Sequence, residues 1–155
     1  MQTALSFFLI LFANTLCFNW TPGSIKCLDE QKINKKTIES FDVGPFAYQQ
    51  GNKTFYDFME CAWKKDGALD AKNELDWTVA AKLLAQKYSE PGFSSDVTLI
   101  VDSLISEALY KCLTEIQQGD TPGETIVIVQ NCVTKTTKEL YDLGIKFISK
   151  MGIKL

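Results

Sequence analysis

The sequence predicts an all-helical fold, five or six helices in one compact domain. Three observations predict it. Apolar residues recur at spacings of three and four along most of the chain after residue 20, which is the pattern of amphipathic helices. Helix start and stop signals cut that pattern into pieces, at Thr21-Pro22-Gly23, Asp66-Gly67, Asp76, Pro91-Gly92 and Thr121-Pro122-Gly123-Glu124. No segment of useful length alternates with the period of two that a half-buried strand needs. Composition agrees: 46% hydrophobic and 23% charged residues in a chain of 155 is a globular balance at the size of one domain.

The first 17 residues read as a secretory signal rather than as part of the fold. Ala4 to Ala13 is an apolar run interrupted by one serine, too short to span a bilayer, which takes roughly 20 residues. Thr15 and Cys17 place small residues at −3 and −1 for a cut after Cys17. The competing reading is a buried N-terminal helix. With the cut, residues 18–155 form the mature domain, and no second apolar run is long enough to cross a membrane.

The elements follow in order. Thr21 caps a first helix with Pro22 at its first position, and this helix is expected to run through Cys27 towards Phe41 with Ile25, Leu28 and Ile38 inward. Gly44-Pro45 breaks the chain. Asn52 or Thr54 opens the next helix, where Phe55, Phe58, Met59 and Ala62 fall at i, i+3, i+4 and i+7 on one face. Asp66-Gly67 stops it. Asp76 caps a third helix carrying Trp77, Ala80, Ala81, Leu84 and Tyr88. Ser94 or Ser95 opens the most regular one. There Val97, Ile100, Val101, Leu104, Ile105, Ala108, Leu109, Cys112, Leu113 and Ile116 step by three and one without a miss, so Leu104, Ile105 or both should be buried. The last helix opens with a capping box at Thr121 and Glu124. It continues through Ile126, Val129, Val133, Thr136, Leu140, Leu143, Phe147 and Met151. Ile126 to Val129 alone would suit a strand; the caps and the spacing that follows favour helix.

The chemistry the chain can perform is bounded by one count: it has no histidine. Ser-His and Cys-His nucleophiles, His-ligated metals and the usual near-neutral base are all excluded. A net charge of −3 gives no basic footprint for nucleic acid. The acidic stretch from Asp66 to Asp76 fails as a calcium loop, because Ala68 and Lys72 occupy the third positions counted from Asp66 and Asp70. No nucleophile motif is present, and the chain reads as no enzyme, with no cofactor and no metal site. Asn52-Lys53-Thr54 is a glycosylation sequon. Removing Cys17 with the signal leaves Cys27, Cys61, Cys112 and Cys132. That even number implies two disulfides in a secreted chain, with three connectivities open.

The gaps between these cysteines hold 33, 50 and 19 residues. They resemble those of the insect odorant-binding proteins, in the four-cysteine (minus-C) branch that lacks two of six family positions. The missing positions fall near Asp57 and Gly123. The segment Cys61-Ala62-Trp63-Lys64-Lys65-Asp66-Gly67-Ala68-Leu69-Asp70 also resembles that family's helix ending in a Gly turn. The resemblance implies Cys27–Cys61 and Cys112–Cys132 bridges, and a looser fold where the third bridge is absent. It implies helices around a central apolar pocket for a small ligand. The stripe residues expected to line it are Phe55, Phe58, Met59, Trp77, Leu84, Tyr88, Leu104, Ile105, Ala108, Val129, Val133 and Phe147. The function so implied is a secreted, extracellular carrier of small hydrophobic molecules such as odorants, pheromones or lipid-like compounds, with a receptor or other protein as a second partner. The alternative is a salivary or reproductive helical protein that scavenges biogenic amines or binds a protein partner.

Overall fold

Thr21 opens the first helix as its sequence predicts: the side chain accepts from Ser24 N, and Pro22 stands at the first helical position. The computed structural model describes residues 18, 20–44, 47–88, 95–115 and 117–150, so the segment expected to be a signal, residues 1–17, lies outside the described residues. In these, six helices are found: α1 Pro22–Gln31, α2 Lys35–Glu39, α3 Lys53–Lys65, α4 Trp77–Tyr88, α5 Ser95–Glu115 and α6 Pro122–Lys150. A small hairpin, β1 Asp42–Gly44 and β2 Ala47–Tyr48, lies between α2 and α3. Packing runs as a chain of neighbours: α1 on α3, α3 on α6, α6 on α5, and α5 on α4.

The single first helix expected from Thr21 to Phe41 is two helices. Lys32 adopts a left-handed φ of 54°, Lys32 N donates to Asp29 O and Ile33 N donates to Leu28 O. That is a Schellman ending. Asn34 then caps α2 through Lys36 N. A lysine in this role leaves no glycine for a sequence reader to find. Ile25, expected inward, is 42% exposed, whereas Leu28 and Ile38 are buried. The hairpin was also not expected: strands of three and two residues are too short to show a period.

α3 follows its sequence closely. Asn52 accepts from Phe55 N at 3.1 Å, and Phe55, Phe58, Met59 and Ala62 are all buried. The helix ends at Asp66, with Gly67 at a φ of 80°. Asp70 Oδ1 then accepts from Lys72 N and Glu74 N, which makes the acidic stretch a tight turn between helices. Asp76 caps α4 through Thr78 N and Val79 N at 3.0 and 3.1 Å.

On α5 the apolar stripe is wider than the neighbours that cover it. Ile105, Ala108, Leu109 and Cys112 are buried and Leu104 is half-buried, but Ile100 is 54% exposed. The side chains of Val97 and Ile116 lie outside the described residues. The stripe of α6 likewise runs out at Leu143, which is 61% exposed. Ile126 and Val127 are both fully buried because α6 is walled by α3, α5 and β2. This is why a helix carries a strand-like apolar run. The capping box is one residue wider than expected: Thr121 Oγ1 accepts from Glu124 N, while Glu124 Oε2 accepts from Asp120 N instead of from the N–H of Thr121.

Cys27–Cys61 joins α1 to α3 and Cys112–Cys132 joins α5 to α6, with Cα atoms 6.0 and 5.9 Å apart. Where the resembling family carries its third bridge, α3 and α6 meet instead through a glycine. A Cβ on Gly123 would fall 2.0 Å from the carbonyl oxygen of Tyr56, so only glycine permits this approach.

Candidate ligand-binding groove

α4 and α5 enclose a groove of about 750 Å³ between them. Its α4 wall is built at helical spacing from Trp77, Thr78, Ala81, Lys82, Ala85 and Gln86. Two of these, four residues apart, are alanines. Their methyl groups are too small to fill the space between helices, and this hollows the wall. The α5 wall is Thr98, Asp102, Ser106, Leu109, Tyr110 and Leu113. Burial sorts the twelve into a floor and a rim. Ala85 and Leu109 are buried, and Trp77, Ala81, Thr98 and Leu113 are half-buried. Thr78, Lys82, Gln86, Asp102, Ser106 and Tyr110 are exposed. The floor is therefore largely apolar. The rim is polar and carries one charge of each sign. Such a surface takes an apolar body by burial and fixes its orientation with a few hydrogen bonds.

A second, internal space of about 40 Å³ lies where α1, α3, α4 and α6 converge. Phe18, Met59, Trp63 and Leu84 border it together with Thr21, Asp66 and Gln130. It is large enough for a water molecule but far below the several hundred Å³ of a ligand pocket.

Of the twelve residues expected to line a pocket, the structure places nine in three settings. Trp77 borders the groove, and Met59 and Leu84 border the internal space. Phe55, Phe58, Ile105, Ala108, Val129 and Val133 are buried in the packed core and border neither; half-buried Leu104 on α5 also borders neither. Tyr88 and Phe147 lie on described helices, but their side chains are outside the described part of the structure. Leu109, Leu113 and Ala81 were legible as helix-face residues, without a signal that their face stays open. Asp102, Ser106 and Gln86 gave no signal at all, since a polar residue beside a groove reads like any solvated one.

The comparison with family models decides the affiliation: the PBP/GOBP family model matches residues 23–136. The chain belongs to the PBP/GOBP family. The matched span contains both disulfides, α1 from its second residue, α2 through α5, the first half of α6 and every residue of the groove. PBP/GOBP proteins bind ligands and are not enzymes. No significant match is found among curated proteins or among solved structures. Among the described residues no helix is long and apolar enough to cross a membrane.

Proposed function

We propose that this PBP/GOBP chain is a secreted carrier, of the family's four-cysteine branch, that holds one small hydrophobic molecule in the α4–α5 groove. The observation that carries this reading is the groove itself, an open space of about 750 Å³ with an apolar floor, inside the part of the chain that matches a ligand-binding family. A ligand burying about 200 Å² of apolar surface gains about 5 kcal/mol at about 25 cal/mol per Å²; association costs reduce that gain. Secretion is supported by two bridges of the kind that persist in oxidising compartments and by the short apolar run Ala4 to Ala13, which suits a leader cut after Cys17. Asn52 is the glycosylation acceptor in this reading.

The amine-scavenging reading needs a carboxylate facing the ligand. Asp102 is the one carboxylate of the groove among the described residues, but it is exposed on the rim and the same groove carries Lys82. A neutral apolar cargo suits that rim better than a cation. The test is a titration with a naphthylamine fluorophore, read by its own emission and by quenching of Trp77, followed by displacement with long-chain alcohols and with serotonin. Saturable binding, displacement by the alcohols and loss of binding in Ala81→Phe are expected. Displacement by serotonin alone would favour the amine reading. Absence of binding by every apolar and amine compound would favour a protein partner.

A further inference from the structure

Trp77, at one end of the α4–α5 groove, also borders a second hollow of about 440 Å³. That hollow lies between the turn that follows α3 and the turn that precedes α6. The half-buried indole is therefore the wall at which the two spaces meet. From Trp77 to Gln86 the groove follows α4 for about 13 Å, at a rise of about 1.5 Å per residue, so the two together form an elongated site.

Their chemistry differs. The groove floor is largely apolar, as described above. In the hollow only Leu69 and Leu75 supply an apolar base, and Asn73 and Glu74 from one turn face Gln118 and Asp120 from the other. These four are exposed. Among the described residues Glu74 and Asp120 are the only charged groups bordering the hollow, and neither is in an ion pair. Lys72, on the same turn as Glu74, does not border it. The start of a helix ordinarily attracts an anion, but here its donors are committed. Gly119 N donates to Thr125 Oγ1, Asp120 N to Glu124 Oε2 and Glu124 N to Thr121 Oγ1, and Pro122 has no N–H. Glu124 already places a negative charge in that first turn. The hollow thus offers acceptors and repels anions.

We infer that the cargo is an elongated amphiphile whose alkyl chain lies in the groove and whose head, a hydrogen-bond donor without negative charge, lies in the hollow beside Trp77. This rests on the groove reading proposed above and narrows it: long-chain alcohols and amines fit, and fatty acids do not. An alcohol donates its O–H to Glu74 or Asp120. A primary ammonium donates in the same way and is drawn by opposite charge. A fatty acid is ionised at neutral pH; it has no proton to donate and meets two like charges. The groove's one cation among the described residues, Lys82, stands five residues along α4 from Trp77, so a carboxylate paired with it leaves the hollow empty.

Decanol, decylamine and decanoate share one chain and differ in the head. Each is titrated at neutral pH into the intact disulfide-bonded protein, with chemical shifts of the Leu109 methyl groups reporting the groove and those of the Asn73 and Gln118 side-chain amides the hollow. Decanol and decylamine should shift all three residues. Decanoate should bind most weakly, about tenfold below decanol, or about 1.4 kcal/mol. In about 1 M salt, where charges are screened beyond about 3 Å, that gap should narrow. The double change Glu74→Gln and Asp120→Asn should close it, and if that variant does not fold, Asp120→Asn alone must narrow it. A gap that persists in the folded variant, or shifts at Leu109 with none at Asn73 and Gln118, would overturn the inference while the groove reading stands. So would decanoate binding as tightly as decanol and weakening in Lys82→Met, which would put the head at the rim. No shift at Leu109 with any of the three would overturn the groove reading, and this inference with it.

Discussion

The half of the molecule built on α1, α3 and α6 and the pair α4–α5 are made differently. In the first, aromatic rings fill the interior: the Phe55 ring has its centroid 5.0 Å from that of Phe41 and 5.4 Å from that of Tyr48. Polar groups there tie one element to the next. Asn131 on α6 pairs with both the N–H and the C=O of Tyr48, at 2.8 and 2.9 Å, and so acts as a further strand beside β2. Asp66 at the end of α3 caps α1. In the α4–α5 pair two of the α4 residues facing α5 are alanines, α4 carries no cysteine, and Leu99 and Tyr110 stand exposed on α5. Stability is thereby concentrated in one region, and the other is left open enough to take a ligand. Regions that bind are commonly drawn from the less stable part of a fold.

This contrast predicts opposite responses to substitution. The largest effect is expected from Phe55→Ala, which empties a fully buried site in the packed half. It should lower stability by about 3–5 kcal/mol in chemical denaturation. Ala81→Phe fills the groove and should leave the denaturation midpoint nearly unchanged while binding is lost. If both variants lowered stability equally, the groove would be part of the core and the contrast would fail.

Removing the Cys112–Cys132 bridge by a double change to serine should destabilise by about 3 kcal/mol, as expected for a closed loop of this length. The bridge lies at the C-terminal end of α5, so hydrogen exchange in α5 should rise more than in α3. A uniform rise would mean that the two regions unfold as one. Asn131→Leu comes next. It removes both hydrogen bonds between Asn131 and the backbone of Tyr48 and should cost about 1–3 kcal/mol by thermal denaturation, with no change in ligand affinity.

The smallest effect expected is that of mild acid. The chain has no histidine, the side chain whose ordinary pKa of about 6.5 makes it the usual switch in this range, and carboxylates ordinarily titrate near about 4. Ligand affinity should therefore stay flat between about pH 7.5 and 6. A tenfold loss there, about 1.4 kcal/mol, would mean that a carboxylate senses the ligand.

Most helix starts were legible because they are written in side chains that hydrogen-bond their own backbone. Thr21, Asn52, Asp76 and Thr121 all stand where their chemistry places them. The end of α1 was hidden because Lys32 takes a left-handed φ that sequence reasoning assigns to glycine. The hydrophobic stripes identified Phe55, Ile105 and Val133 as inward. They did not distinguish a face that meets another helix from one that meets a groove, since both are apolar. That distinction rests on side-chain volume across two helices: Ala81 and Ala85 leave open opposite Leu109 and Leu113 what larger residues would fill.

Whether the α4–α5 groove holds the ligand is tested most directly by an NMR measurement of contacts between a bound long-chain alcohol and the methyl groups of the protein. Nuclear Overhauser contacts are expected from the alkyl chain to Ala81, Leu109 and Leu113, and none to Val129 or Val133 in the packed core. Contacts to Val129 and Val133 with none to Leu109 and Leu113 would contradict the groove reading.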